Sequence, residues 1–334
     1  MSNAFSLLSQ DVVKQIIIAT SNPFVGFFIG ILTTAIIQSS STVTSLVVAI
    51  VAAGTISLDS AIPIVMGANI GTTVTSTIVS LGYISKKKEF KKALAAAALH
   101  DFFNIFTVII LLPLQYFTGF LSYVSKKVSL LFYIFNLEQS NFFSYNLKPV
   151  STYIYHLFGN NPFLVLGLAF FLLFYSIRSF TNVIKDILIG DSRRKMNEFI
   201  FGSPLKALGM GTLFTAALQS SSVTTSFIVP LAATNKITLK QAFPFIMGAN
   251  VGTTVTALIA AFSTSETAVN LAVSHLVFNL IGVLMLYPIK SVRYIPVYLA
   301  KKMGVYTIKN WAIGFSYLIL TFFLIPFLLI LIFK

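Results

Sequence analysis

The chain contains no cysteine in 334 residues. Neither a disulfide framework nor a thiolate metal site is therefore open to it. Three His in the whole chain are too few to favour an ordinary zinc site. Charge is the next scarcity. Asp, Glu, Lys and Arg together make up 10% of the residues, against about 25% in a soluble domain, so the chain lacks the polar surface to stay in water. What charge it has runs one way, with 23 Lys and Arg against 9 Asp and Glu. In a membrane protein such an excess marks cytoplasmic loops and does not signal nucleic acid. The start, "MSNAFSLLSQDVVKQ", has no basic region ahead of an apolar core, so no signal pattern is read there.

Apolar residues are what the chain has in quantity, at 56%. Several stretches reach the ~20 residues that cross a bilayer as a helix. The expected fold is therefore an all-α polytopic membrane protein, with the lipid bilayer of the cell membrane as its surroundings.

Against that background, "AIIQSSSTVTS" (Ala35–Ser45) spends a Gln, four Ser and two Thr inside an apolar run, and "AALQSSSVTTS" (Ala216–Ser226) does nearly the same. A shift of 219 − 38 = 181 positions superposes Gly30–Ser80 on Gly211–Ala261 with about half the positions identical. "PIVMGANIGTTVTS" (Pro63–Ser76) then falls on "PFIMGANVGTTVTA" (Pro244–Ala257) without a gap. Further on, "HDFFN" (His100–Asn104) matches "HLVFN" (His275–Asn279) at an offset of 275 − 100 = 175. The chain reads as one unit written twice.

The first unit is expected over 1–117, with a hairpin at about 23–54, a broken helix at about 60–81 and a span at about 93–117. An extracellular connector follows at 118–161. The second unit covers 162–290, with a span at about 162–181, a hairpin at about 204–234, a broken helix at about 241–261 and a span at about 268–289. A C-terminal loop and last span take 291–334. The first unit has about twenty residues ahead of its hairpin, where the second has a full span, so one span fewer is expected there. An odd number of crossings between the units turns the second over, giving two inverted-topology repeats. The basic loops agree: Lys86–Lys92, Arg178–Lys206 and Lys290–Lys302 all fall on the cytoplasmic side of that arrangement.

A single Ser in a membrane helix bonds to the carbonyl a turn back at little cost. Four consecutive polar side chains point around most of a helix circumference, and some would face lipid if the helix ran on. The chain is expected to turn at each QSSS as a re-entrant helical hairpin, with Ser capping the returning arm. Pro23 and Pro204 would start the first arms. Gly67, Gly71 and Asn69 in "GANIGT", like Gly248, Gly252 and Asn250 in "GANVGT", are read as a second kind of break, a discontinuous helix. Amides freed at a half-helix N-terminus suit an anion, and freed carbonyls suit a small cation such as Na+. Asp101, facing Leu276 in the other unit, is weighed as a cation or proton ligand. Asn104 and Asn279, deep and matched, are weighed as site ligands or interhelical hydrogen bonds. His100 and His275 are read as structural, close to the membrane interface.

With those residues in place, the chain resembles the type II sodium–phosphate cotransporters and their bacterial relatives. The likeness rests on the paired QSSS motifs, the two GAN[IV]GT segments, "HDFFN" and "HLVFNLIGVLMLYP" (His275–Pro288). It runs over most of Pro23–Leu112 and Phe163–Pro288. The resemblance implies sodium-coupled uptake of inorganic phosphate by alternating access, with movement of an elevator kind. It assigns Gln38, Ser39, Ser40, Ser41, Gln219, Ser220, Ser221 and Ser222 to the phosphate and sodium site, with Asn69, Thr72, Thr73, Asn250, Thr253 and Thr254 as neighbouring ligands. Na+ is the expected coupling ion, bound by the same hairpin and broken-helix residues, and no other cofactor is expected. The expected partners are inorganic phosphate, Na+, lipid and a second copy in a homodimer. Family members usually carry one more span at the start, and bacterial relatives often a soluble helical domain after the last one. The rival readings are an exporter, a carrier of another oxyanion, a passive anion channel, and an intramembrane hydrolase built on Ser39–Ser41 with His100. The last is disfavoured by the duplication and by the absence of a nucleophile turn.

Overall fold

The computed structural model describes residues 22–134, 199–262, 264–309 and 312–333, with isolated positions at Tyr153, Leu157, Leu164 and Leu168. The span expected at 162–181 and most of the connector lie outside the described residues. Among the described residues all regular structure is helical. The order is α1 (Pro23–Ile37), α2 (Ser40–Ala52), α3 (Leu58–Gly71), α4 (Val74–Leu81), α5 (Lys87–Thr118) and α6 (Phe120–Ile134). Then come α7 (Pro204–Leu218), α8 (Ser221–Ala233), α9 (Leu239–Ala261), α10 (Glu266–Leu286), α11 (Lys290–Lys309) and α12 (Ala312–Ile319). A π-helical turn (Leu320–Leu324) joins α12 to α13 (Ile325–Phe333).

Five helical segments among the described residues are long and apolar enough to cross a membrane: Leu58–Leu81, Lys87–Thr118, Leu239–Ala261, Glu266–Leu286 and Ala312–Phe333. By contrast α1 has 15 residues and α2 only 13, and α7 and α8 repeat those lengths. At 1.5 Å per residue each arm is roughly 20 Å long, short of the ~30 Å hydrocarbon core.

Local chemistry explains where these short helices begin and end. Pro23 opens α1, where its missing N–H costs nothing, and the Asn22 side chain caps the Phe24 amide at 3.0 Å. Pro204 opens α7 in the same way, with Ser203 Oγ accepting from the Lys206 amide at 3.2 Å. Both helices end in a left-handed Gln, Gln38 at φ 58° and Gln219 at φ 50°. That conformation costs a residue other than glycine about 1–2 kcal/mol. Ser39 and Ser220 follow, both extended at φ −149°, and cap α2 and α8. The chain thus turns within two residues at each QSSS.

What holds each first arm is backbone contact. A Cβ on Gly30 would land on the Ile64 carbonyl, one on Gly67 on the Phe27 carbonyl, and one on Gly71 on the Ile31 carbonyl. In the second unit Gly211 meets Phe245, Gly248 meets Leu208, and Gly252 meets Thr212 in the same manner. Each of these contacts maps onto its partner by the same shift of 181 positions. So α1 lies directly on α3, and α7 on α9, at a separation that only small residues permit.

This use of glycine corrects the expectation of a discontinuous helix in the second unit, while in the first the helix is interrupted at the motif as expected. In the second unit α9 runs unbroken through Asn250–Thr254 over 23 residues. In the first, α3 and α4 are parted only at Thr72 and Thr73, whose backbones stay right-handed at φ −59° and −70°. Asn69 and Asn250 each donate to the carbonyl four residues back, Val65 and Ile246, both at 3.0 Å. The hydroxyls of Thr72 and Thr254 are likewise returned to the backbone, on Ala68 and Val251.

A second correction concerns 291–311, expected as a loop: Lys290–Lys309 form the 20-residue helix α11. Lys240 Nζ sits 4.6 Å from the ring centroid of Tyr294 near its start, and Gly304 packs on the Lys91 carbonyl near its end. Both contacts lie at the end of the bundle where α5 begins, so α11 lies across that end. Lys92 Nζ reaches Asn235 Oδ1 at 2.6 Å there too, next to the start of α9. The start of α3 is at the far end of α5, where Asp59 Oδ1 accepts from Gln115 Nε2 at 3.3 Å and from Ser122 Oγ. From Lys92 to Gln115 the helix rises about 34 Å. The two matched helices α3 and α9 therefore enter from opposite ends.

Gly67→Ala and Gly248→Ala should each lower the melting temperature in detergent, since forcing a methyl between two backbones costs about 1–3 kcal/mol. Gly209→Ala, in α7 with nothing within 4 Å of the added carbon, should leave it unchanged or slightly raised. Equal effects at all three positions would contradict the backbone contact.

Candidate substrate and ion site

The two QSSS turns meet. Ser222 Oγ donates to the Gln38 carbonyl at 3.2 Å, so the tip of the first hairpin touches the opening turn of α8. Ser41 Oγ and Thr253 Oγ1 are 3.3 Å apart, and Thr253 Oγ1 donates onward to Ser221 Oγ at 3.4 Å. One threonine of α9 thereby bridges both hairpins. Below it Ser76 and Thr225 pair at 3.0 Å. Ser40, Ser41, Ser221, Ser222 and Thr253 are all buried.

Within each turn the serines divide their roles. Ser39 Oγ accepts from the Thr42 amide at 3.2 Å and pairs with Thr42 Oγ1 at 2.8 Å. Ser220 Oγ accepts from the Val223 amide at 3.4 Å. These two are caps. Ser40, Ser41, Ser221 and Ser222 occupy the first turns of α2 and α8, where the amides have no acceptor inside the helix. Two helix N-termini, each with its positive pole, are thus buried close to one another. The Gln38 and Gln219 side chains are exposed at the tips.

A second layer crosses between the units. His100 Nε2 lies 3.1 Å from Asn250 Oδ1, and His275 Nε2 lies 3.2 Å from Asn69 Oδ1. Each histidine of one unit thus bonds the GAN asparagine of the other. Both asparagines already donate through Nδ2 to their own helix, so each Oδ1 accepts and each histidine carries its proton on Nε2. Asn104 Nδ2 donates to the Asn69 carbonyl, and Asn279 Nδ2 to the His275 carbonyl, both at 3.0 Å. Tyr317 OH donates to Asp101 Oδ2 at 2.8 Å, with the Thr73 side chain beside the same carboxylate. The Thr73 hydroxyl also returns to the Ile70 carbonyl at 2.8 Å.

Eleven buried side-chain atoms among the described residues have no hydrogen-bond partner; six are Thr or Ser hydroxyls, which can donate or accept, and the other five are of one kind. His100 Nδ1, His275 Nδ1, Asn104 Oδ1, Asn279 Oδ1 and Asp101 Oδ1 are buried without a hydrogen-bond partner. All five are acceptors. A buried acceptor without a donor costs about 1–3 kcal/mol, and a group of them in an apolar interior favours a cation. No cluster of three or more His, Cys, Asp and Glu with metal-ligand spacing occurs among the described residues, so the set leans on neutral oxygen and nitrogen. No Lys or Arg is among the buried residues described.

The residues singled out from the sequence therefore fall into three groups. Ser41, Ser221, Ser222, Thr253 and the Gln38 carbonyl come together directly. Asn69 and Asn250 join through the histidines, and Asn104 through Asn69. Thr72, Thr73 and Thr254 are turned back to their own helices. His100 and His275, read as interfacial, are instead among the most buried polar residues, at 0% and 2% exposure. The reason is that α5 begins at Lys87 and not near Ala93, so His100 lies well inside it. Their matched spacing, taken with the matched asparagines, was the signal that could have placed them. His100 is committed to Asn250 and not to a QSSS serine, so the serine–histidine pair of a hydrolase is not formed. Ser76, Thr225 and Tyr317 were not anticipated.

Comparison with known proteins gives a consistent result. The family model described as Na+/Pi-cotransporter matches residues 1–135 and 172–325. The sodium-dependent phosphate transport protein 2A of Ovis aries is 31% identical over 409 residues, covering 98% of this chain and 64% of the relative. The protein 2B of Homo sapiens is 28% identical over 425 residues, covering 98% and 61%. The chain thus spans just under two thirds of the length of these relatives. No solved structure matches.

A double-mutant cycle tests the crossed layer. His100→Leu with Asn250→Leu, and His275→Leu with Asn69→Leu, should each show a coupling of about 0.5–3 kcal/mol in stability. The uncrossed combination of His100→Leu with Asn69→Leu should be additive within about 0.5 kcal/mol. Additivity in the crossed pairs would remove the layer.

Proposed function

The chain belongs to the Na+/Pi-cotransporter family, and on that premise we propose that it carries inorganic phosphate across the cell membrane together with Na+, by alternating access. The observation that carries this reading is the bridge from Ser41 through Thr253 to Ser221. It gathers two hairpin turns, entering from opposite ends of the bundle, at one place. The two units are taken as inverted-topology repeats and the hairpins as re-entrant, with the basic end in the cytoplasm.

Phosphate is held by the amides and hydroxyls of the first turns of α2 and α8: Ser40, Ser41, Ser221 and Ser222, with Gln38 and Gln219 closing from the tips. These donors are fixed in direction before the anion arrives, so little reorganisation is needed. Ser39 and Ser220 serve by capping the helices that supply them. Na+ is held by acceptors, among them Asp101 Oδ1, Asn104 Oδ1, Asn279 Oδ1 and nearby main-chain and threonine oxygens. Asn69, Asn250, Thr72, Thr73, Thr253 and Thr254 orient these groups or join them as the helices move.

The electrostatics couple the two solutes. A phosphate anion taken into low dielectric without a counter-charge is strongly disfavoured, and no buried Lys or Arg is described that could supply one. Na+ is then the counter-charge, and neither solute enters well alone. The hydroxyls that bond one another across the hairpins turn to the anion when it binds. Passage to the other side follows as the hairpin core shifts against the remaining helices.

Purified chain in proteoliposomes should accumulate radiolabelled phosphate uphill under an inward Na+ gradient. Replacing Na+ by choline should weaken phosphate affinity at least tenfold, because the counter-ion is lost. Gln38→Ala and Gln219→Ala should each cut the uptake several-fold. Equal affinity in the two buffers would reject sodium coupling, and downhill flux alone would leave a channel.

A further inference from the structure

Two clefts stand at matching positions of the two units, at opposite ends of the bundle. One is bounded by Pro23, Asp59, Pro63 and Gln115. The other, of about 230 Å³, is bounded by Ser203, Pro204, Lys240, Gln241, Arg293 and Tyr294. The 181-position shift places Pro23 on Pro204 and Asp59 on Lys240. The scaffold is therefore repeated while the charge at its mouth is reversed.

In the first cleft the carboxylate of Asp59 is occupied by Gln115 and Ser122. In the second the cations are held but not neutralised. Lys240 Nζ stands 4.6 Å from the Tyr294 ring centroid, and the Arg293 guanidinium carbon 4.3 Å from the Tyr287 ring centroid. Arg293 Nε donates to the Tyr287 carbonyl at 2.8 Å, which fixes the plane of the guanidinium and leaves its terminal nitrogens. The ion pair found among the described residues is Lys86 with Glu89, so neither Lys240 nor Arg293 faces a carboxylate there. Two positive side chains, oriented by aromatic rings, lining one cleft and paired with no carboxylate among the described residues, call for an anion of fixed shape. A phosphate group fits: Arg forks on two of its oxygens and Lys adds a point charge.

We propose that this cleft, apart from the central transport site, binds a phosphate group between Lys240 and Arg293. The same chemistry is offered by the headgroup of an anionic phospholipid and by free inorganic phosphate. The setting suits either source. The cleft opens where α11 lies across the end of the bundle, and exposed Tyr294, Tyr298, Lys301, Lys302 and Tyr306 on that helix have the composition of a membrane-surface face.

The test uses the full chain purified in neutral detergent and choline buffer, with melting temperature and native mass spectrometry as readouts. One arm adds phosphatidylglycerol or, as control, phosphatidylcholine. The other adds inorganic phosphate or chloride at equal ionic strength. In at least one arm the phosphate-bearing probe should raise the melting temperature by several degrees over its control. Lys240→Gln with Arg293→Gln should weaken that response at least tenfold in probe concentration, and Lys240→Arg should retain it. Should the double variant not fold, Lys240→Met keeps the stem over Tyr294 and removes the charge, and must show the same direction of loss. A response to phosphatidylglycerol alone assigns a lipid headgroup, and a response to inorganic phosphate assigns the soluble anion. No response in either arm, or an undiminished one in the charge-removed variants, overturns the site.

Discussion

Two helices can touch along their backbones only where neither has a side chain to put between them. Between α1 and α3, and between α7 and α9, that contact occurs at six glycines, three in each unit, and it fixes the rest. Because Gly30 lies on Ile64 and Gly67 on Phe27, α1 cannot slide along α3, and the place where α1 ends is set. It ends at Gln38, a turn past the contact of Gly71 with Ile31 and Thr34, so the serines that follow start α2 inside the bundle. The same contacts in α7 and α9 place Gln219 and its serines. Meeting of the two turns is a consequence of these glycines more than of the polar groups, whose hydrogen bonds at 3.2–3.4 Å are long and individually worth about 1 kcal/mol or less.

That ordering explains what could be read from the sequence and what could not. Pro23 and Pro204 announce helix starts, because a residue without an N–H is harmless only there. Gln-Ser-Ser-Ser announces a stop and a restart, because lipid will not solvate four polar side chains on a continuous helix. Both inferences use local rules, and the helices do end at those residues. "GANVGT" misled for the opposite reason, since α9 runs through it unbroken. Glycine is permissive in two ways, in backbone angle and in closeness of approach, and a sequence does not say which is in use. The answer depends on what lies opposite, here Phe27 and Ile31 in one unit and Leu208 and Thr212 in the other. The histidines were misplaced for a similar reason: the depth of His100 depends on a helix that begins among lysines, outside the apolar run that composition detects. Composition also failed to mark α11, whose basic and aromatic residues carry it along a surface and leave no apolar span to recognise.

The polar interior separates into donors and acceptors. Helix N-termini and serine hydroxyls gather at the turns, while bare imidazole nitrogens and amide and carboxylate oxygens gather around the crossed histidines. A site for one ion would need only one of these. Having both, with no buried Lys or Arg described, suits a pair of opposite charges that neutralise one another. This separation supports the proposed coupling, since each solute completes the electrostatic surroundings that the other requires.

The repetition is close in the backbone and incomplete in the side chains. The glycine contacts and the His–Asn crossings map across the units, but Asp101 faces Leu276, Ser76 faces Ala257, and Asp59 faces Lys240. Backbone likeness of the two units is what the proposed alternating access requires, since inverted repeats work by exchanging open and closed ends. Side-chain differences then decide what the ends do. Asp101, bonded by Tyr317 of α12, puts the single buried carboxylate described on one side of the crossing, so the two halves of the proposed cation site are unequal. The reversed charge at the outer clefts has the same logic at the surface: Asp59 has partners in its own unit, whereas Lys240 and Arg293, held by aromatic rings, pair with no carboxylate among the described residues. The transport proposed above needs ends alike enough to interchange and unlike enough to tell inside from outside; the likeness lies in glycine and the difference in a few charged positions.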